Sequence, residues 1–189
     1  MTSHREQLPL LLLDACCLLN LFATRHIEHI LRTLQHRFAI AVAVKTEARW
    51  VFEPGEGEDP PDRESVDVES LATAGLLDLL SPETDRENED YVAFAVVLDD
   101  GEAMTAALAV HRGAQVATDD RVARRELRAR APQVAILSTS ELLHAWSNEG
   151  HIEPPVLAQA LRDVRTRARF LPPTSDPLRA WWDAACENS

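Results

Sequence analysis

The feature that most narrows the fold of this chain is a repeated order. A short, continuous apolar run meets an acid or a turn, and a segment with helical apolar spacing follows. Leu10 to Leu13 contains no polar residue and stops at Asp14. A parallel strand buried on both faces reads this way, whereas a half-exposed strand alternates. A helical stretch comes next, and Ile27, Ile30, Leu31 and Leu34 carry helical spacing into a second run, Phe38 to Val44. Leu76 to Leu80, Gln115 to Thr118 and Val134 to Leu137 read as further strands. Between them lie Tyr91 to Leu98, broken at Asp99-Asp100-Gly101, the alanine-rich Glu102 to His111, closed by Gly113, and Arg121 to Ala131, ended by Pro132. This alternation predicts an α/β fold with a parallel sheet and right-handed crossovers.

Two regions depart from the alternation. Lys45 to Phe52 reads as the start of a helix stopped by Pro54-Gly55, and the stretch at about 53–70 reads as an exposed, mobile acidic loop. From Ser140 the chain is helical, through Glu141 to Trp146, Pro154 to Arg169 and a tail containing Trp181-Trp182. The expected organisation is one domain over 1–149 and a helical C-terminal extension over 150–189 packed on it, with no second core of independent size.

A chain of 189 residues is long enough to bury a sizeable core without disulfides. Its net charge of −12 argues at first against a polyanionic partner, but the distribution changes that reading. Residues 53–70 hold eight acids and one Arg, and residues 83–90 hold five acids and one Arg, so two stretches carry nearly all the excess. Against the near-neutral remainder, Arg121 to Arg130 contains five Arg and one acid, a local positive run able to meet phosphates; a solvated helix face explains it equally well.

Leu8 to Leu13 after Arg5 imitates a secretory leader, but Asp14 and Asn20 interrupt it and no clean cleavage site follows. No run reaches the roughly 18 to 20 apolar residues of a membrane span. The expectation is therefore a soluble, cytoplasmic protein with no membrane partner. Cys16, Cys17 and Cys186 form no Cys-x-x-Cys pair, so neither a disulfide framework nor a zinc site is signalled.

Asp14, Glu47, Glu102 and the pair Asp119-Asp120 each stand where a strand ends or a helix begins. Singly, each is explained as an N-cap or as a partner of the helix dipole. In a parallel sheet, however, the strand C-termini share one edge, and acids there converge into one acidic pocket. Carboxylates crowded together raise one another's pKa, and a divalent cation relieves the repulsion. Hard oxygen donors of this kind suit Mg²⁺ or Mn²⁺ and phosphoryl chemistry.

In order and spacing, Leu11-Leu12-Leu13-Asp14-Ala15-Cys16-Cys17-Leu18-Leu19-Asn20, Val44-Lys45-Thr46-Glu47-Ala48, Gly101-Glu102-Ala103, and Ala117-Thr118-Asp119-Asp120-Arg121 with Ala123-Arg124-Arg125 resemble the successive motifs of PIN-domain nucleases, over about residues 8–145. The resemblance implies a three-layer α/β domain whose parallel sheet has the order 3-2-1-4-5 and is flanked by helices. It places Asp14, Glu47, Glu102 and Asp120 on the family's catalytic, metal-binding acids. Asp119 falls where the family often has Asn or another polar residue, so it is an extra ligand or a cap. Asn20 and Thr118 match polar positions that orient the acids, and Arg121, Arg124 and Arg125 are candidates to guide a nucleic-acid backbone, with Arg-carboxylate pairing as an equal alternative.

The implied activity is Mg²⁺- or Mn²⁺-dependent hydrolysis of RNA, or of single-stranded nucleic acid more generally, by a metal-activated water. Because toxin ribonucleases of toxin-antitoxin pairs share this fold, an antitoxin and a homodimer enter as partners. One departure is Cys16, which replaces the small hydroxyl or amide residue common two positions after the first Asp. The competing reading from another class is a catalytically inactive PIN-like binding module.

Other readings find less support. A phosphatase or phospho-receiver needs a lysine near the phosphate, and Lys45 is the only one; no Gly-x-x-x-x-Gly-Lys or Gly-x-Gly-x-x-Gly loop occurs. His26, His29 and His36 read as a solvated helical face, Cys16 and Cys17 as small core residues, and Trp181-Trp182 as the packing face of a C-terminal helix.

Overall fold

In the computed structural model, which describes residues 7–53 and 62–187, the apolar runs become short strands. In chain order the elements are β1 (Leu10–Leu13), α1 (Ala15–Ala23), α2 (Ile27–Thr33), β2 (Arg37–Ala41), α3 (Val44–Glu47), β3 (Trp50–Phe52), β4 (Arg63–Ser65), α4 (Val68–Thr73) and β5 (Asp78–Leu80). They continue with α5 (Asp85–Phe94), α6 (Asp100–Arg112), β6 (Gln115–Ala117), α7 (Arg121–Arg130), β7 (Ile136–Leu137), α8 (Thr139–Glu149), α9 (Pro154–Arg167) and α10 (Arg179–Glu187).

The chain divides into two compact units whose segments interleave along the sequence. The first comprises 1–18, 35–48 and 67–138; the second comprises 19–34, 49–66 and 139–189. No continuous stretch carries the second unit, which is why a reading along the chain finds no second core.

The first unit is built on a five-stranded sheet of order β5-β2-β1-β6-β7. Every pairing is parallel, with Leu12 opposite Ala39 on one side and Val116 on the other. Numbered by their place in this sheet the strands run 3-2-1-4-5, the order expected, and helices flank them. Leu11, Leu12, Leu13, Ala39, Ile40 and Ala41 are wholly buried, as continuous apolar strands covered on both faces require. β1 is central, so Asp14 emerges at the switch point between β2 and β6, where open α/β sheets place their sites.

Helix α6 packs on β1, β2 and β6. Small residues make this close approach feasible: Ala103, Ala106, Ala107 and Ala109 are all buried. Asp99 caps its N-terminus, and Gly113 ends it in the left-handed region at φ +60°, a conformation that favours glycine. Helix α5 starts at Asp85, earlier than Tyr91, because Thr84 and Glu87 form a reciprocal capping box. Buried Glu87 also accepts from Arg112 Nε at 2.8 Å, and this contact with the neighbouring guanidinium holds its pKa down to about 2.

The helix expected over Lys45 to Phe52 is a single turn, α3, followed by a strand. Trp50-Val51-Phe52 buries Val51 and turns its aromatic neighbours to the other face, an alternation that fits a strand of β-favouring residues. β3 pairs antiparallel with β4. Part of the stretch read as a loop at 53–70 is thus β4 and the start of α4, whose N-cap Asp67 accepts from Ser70 N; residues 54–61 lie outside the described residues.

In the second unit α10 packs on α9, α2 on α8, and α9 on β3. Trp182 is fully buried, its ring edge-on to Phe170 at 5.9 Å. His26 and His29 are not merely a solvated face. The ring of His26 lies 5.6 Å from that of buried Trp146, whose Nε1 donates to His29 Nδ1 at 2.9 Å. Arg167, 1% exposed, donates to Ala23 O and Glu53 Oε1, each at 2.7 Å, and to Glu64. These bonds pair the buried charge through its two terminal nitrogens, while its Nε has no hydrogen-bond partner among the described residues. Among the described residues no helix is long and apolar enough to cross a membrane.

Candidate functional site

Asp14 follows β1 directly, and its own N–H donates to Ala117 O at 3.0 Å, extending the β1–β6 pairing by one rung. Its side chain is only 3% exposed. Oδ2 accepts from the Thr118 hydroxyl at 2.8 Å and from the Cys16 thiol at 3.3 Å, while Oδ1 accepts from Ala15 N. Burial raises the Asp14 pKa, and the charge of Asp99 adds to the rise; the three hydrogen bonds oppose it. Thr118, itself buried, also accepts from Asp120 N at 3.1 Å, so one hydroxyl ties the carboxylate at the end of β1 to the turn after β6.

Glu47 ends α3 and reaches the start of α6, where its Oε1 accepts from Gly101 N at 2.8 Å. That N–H is one of those an α-helix leaves without an internal partner. Glycine at position 101 makes room for this carboxylate: a Cβ there would lie 2.1 Å from Glu47 Oε2 and displace it. Burial raises the Glu47 pKa, with Asp99, Asp14 and Asp100 contributing. Glu102, one residue further along α6, is pushed up to about 7, first by burial and then by the charges of Asp99, Asp14 and Asp120.

Asp120 caps α7, its Oδ1 accepting from Val122 N and Ala123 N at 2.6 and 2.9 Å. Asp119 accepts from the Cys17 thiol at 3.5 Å through Oδ2, and its N–H points at Cys16 Sγ at 3.4 Å. The edge of the sheet therefore gathers Asp14, Glu47, Glu102 and Asp120 into one electrostatically coupled cluster, with Asp119 beside it. Their oxygens do not draw into a tight cage. Among the described residues the one group of three donors lying within 4.8 Å of one another is Cys16, Cys17 and Asp119. Helix-terminal N–H groups already engage one oxygen each of Glu47 and Asp120.

Asp99 belongs to the same cluster and was read in the sequence only as part of a helix break. Its Oδ1 accepts from Glu102 N at 2.9 Å, and its charge raises the pKa of Asp14, Glu47 and Glu102 alike. The available signal was an Asp three residues ahead of Glu102, the spacing of a capping motif. Asn20 belongs to the second unit, where its side chain donates to Thr139 Oγ1 at 2.9 Å.

The arginines of α7 separate by partner. Arg124 Nη1 donates to the carbonyls of Thr118 and Leu137 at 2.8 and 3.2 Å, bracing the ends of β6 and β7. Arg125 pairs with adjacent Glu126. Arg121 is exposed and has no hydrogen-bond or ion-pair partner among the described residues.

A parallel sheet of this order, with acids after its central strand and after the adjoining β6, defines the PIN-like class of α/β fold. The chain belongs to the PIN domain family DUF3368, whose family model matches residues 10–175. No curated protein and no solved structure matches the chain significantly.

Proposed function

We propose that this protein is a Mg²⁺- or Mn²⁺-dependent endoribonuclease in which Asp14, Glu47, Glu102 and Asp120 hold the metal, with Asp119 adjoining them. PIN-domain membership makes nucleic-acid hydrolysis the first class to consider. The observation that carries the reading is the state of Glu102: burial and three neighbouring carboxylates push its pKa up to about 7, an electrostatic cost that a divalent cation removes. The donors are hard oxygens, which fit Mg²⁺ or Mn²⁺.

When bound, such a cation lowers the pKa of its water and offsets charge on the phosphodiester during in-line attack. The residues of the chain do the positioning. Thr118 fixes one oxygen of Asp14, the Gly101 N–H fixes one of Glu47, and the Asp120 cap leaves its second oxygen outside the capping bonds. Because metal-free Glu102 titrates at about 7, it gives up its proton when the cation binds near neutral pH. Of Arg121, Arg124 and Arg125, exposed Arg121 is the one available to a substrate phosphate; Arg124 is a brace. A toxin role, with an antitoxin and a second copy as partners, rests on the fold class alone.

Cys16 favours a second reading, an inactive binding module, because a thiol bonded to Asp14 stands where PIN-like domains commonly carry a small hydroxyl or amide. Cleavage of labelled single-stranded RNA and DNA, with wild type and Asp14→Asn in Mn²⁺, Mg²⁺ or EDTA, separates the two. The nuclease reading expects RNA cleavage that is lost in EDTA and in Asp14→Asn. Folded protein that binds Mn²⁺ yet cuts neither polymer would favour the module, or a nuclease restricted to one specific RNA.

A further inference from the structure

The carboxylate cluster leaves one arrangement unused. Cys16 and Cys17, in the first turn of α1, and Asp119, after β6, bring two sulfurs and a carboxylate oxygen within 4.8 Å of one another. Cys17 is completely buried, yet its sulfur meets Asp119 Oδ2 at 3.5 Å. Cys16 Sγ receives the Asp119 N–H and contacts Asp14 Oδ2 at 3.3 Å. Cys16 and Asp119 are partly exposed, which gives the group an open side.

We propose that Cys16, Cys17 and Asp119 form a binding site for one thiophilic divalent cation of the Zn²⁺ or Cd²⁺ type, separate from the Mg²⁺ or Mn²⁺ centre. The donor chemistry selects the ion: two thiolates and one carboxylate suit Zn²⁺, whereas Mg²⁺ and Mn²⁺ take oxygen. The dimensions fit as well. Zn–S bonds of about 2.3 Å and Zn–O bonds of about 2.0–2.2 Å place tetrahedral donors roughly 3.5 to 3.8 Å apart. The Cys17–Asp119 distance of 3.5 Å already meets this, and the other separations need to close by about 1 Å at most. Each thiol gives its proton to solvent as the ion binds. Hydrogen bonds from second neighbours tune thiolate ligands, and the Asp119 N–H directed at Cys16 Sγ is one. Three protein donors leave a fourth position open to water.

The contact from Cys16 to Asp14 gives the site a consequence for catalysis. An ion held by Cys16 adds positive charge beside Asp14 and competes with the hard cation, so Zn²⁺ inhibits cleavage. That consequence rests on the nuclease reading; the binding itself does not.

Binding is tested on the full, reduced chain by titrating Cd²⁺ in excess Mg²⁺ and recording the ultraviolet thiolate-to-metal charge-transfer band. The expected result is saturation at one equivalent, unchanged in Cys186→Ser and weakened at least about tenfold in Cys16→Ser and in Cys17→Ser. Because Cys17 is buried, Cys17→Ala provides a second variant, with circular dichroism to establish folding. Absence of the band, its persistence in the folded Cys16 and Cys17 variants, or its loss in Cys186→Ser overturns the proposal. No substrate is present, so this outcome is independent of whether the protein cleaves RNA.

Discussion

Replacing Glu102 with Gln tests the electrostatic cluster without any knowledge of the substrate. In the folded protein Glu102 titrates at about 7, against 4.5 for an unperturbed glutamate. Between those pH values the unfolded chain has released a proton that the folded chain still holds, so metal-free stability falls as pH rises through the window and levels off above it. The full shift corresponds to about 3 kcal/mol; the side chain is partly exposed, and solvent screening reduces this to about 1–2 kcal/mol. Urea unfolding in EDTA at pH 5 and pH 7 measures the effect. Wild type should lose about 1–2 kcal/mol more than Glu102→Gln over that interval. Millimolar Mn²⁺ should then raise wild-type stability at pH 7 through preferential binding to the folded state. An identical pH dependence for the two proteins in EDTA refutes the coupling of Glu102 to its neighbours.

Gly101→Ala should leave the helix as stable or better, since alanine is favoured over glycine by about 1 kcal/mol in a helix interior, while displacing Glu47; a shift of about 1 Å in such a group costs roughly 10²-fold in cleavage rate. Thermal melts beside cleavage assays check this, and full activity refutes it. Glu87→Gln should destabilise by about 3 kcal/mol, because it leaves the Arg112 charge without its buried partner. With the Glu87 pKa depressed to about 2, that stabilisation is present above about 4.5 and is lost as pH falls from there towards 2, so the variant should show a shallower acid-unfolding limb. Arg121→Ala should weaken RNA binding and reduce its salt dependence with stability unchanged; Arg124→Ala should lower the melting temperature by removing a guanidinium from two carbonyls, a loss of about 1–3 kcal/mol.

The elements that were legible in the sequence carry local signals strong enough to decide their form. Leu10 to Leu13 is too short for a helix and has no polar face, so a covered central strand is its natural place. Gly113 and Asp120 mark helix ends through backbone geometry and capping, which depend on neighbours along the chain. β3 escaped because it is only three residues long and is stabilised by a partner beyond a Pro- and Gly-rich stretch. Asp99 escaped because an N-cap explains an aspartate completely until the charges around it are located in space. The pairing of Cys17 with Asp119 spans 102 positions, and adjacent cysteines in an apolar run look like core residues until that contact is known.

The buried guanidinium of Arg167 also bears on how the chain is completed during synthesis. It lies 103 positions after Glu64 and 114 after Glu53, so these two acids of the β3–β4 ribbon leave the ribosome well before this cation. At elongation rates of about 5–20 residues per second, that delay is roughly 5 to 20 s. Until Arg167 arrives, Glu53 has Arg25 as its ion-pair partner, but Glu64 and the inner face of the ribbon lack the buried cation. A nascent chain arrested before position 167 should therefore be cut by protease within β3 and β4, and extension past α9 should protect these two strands in a single step.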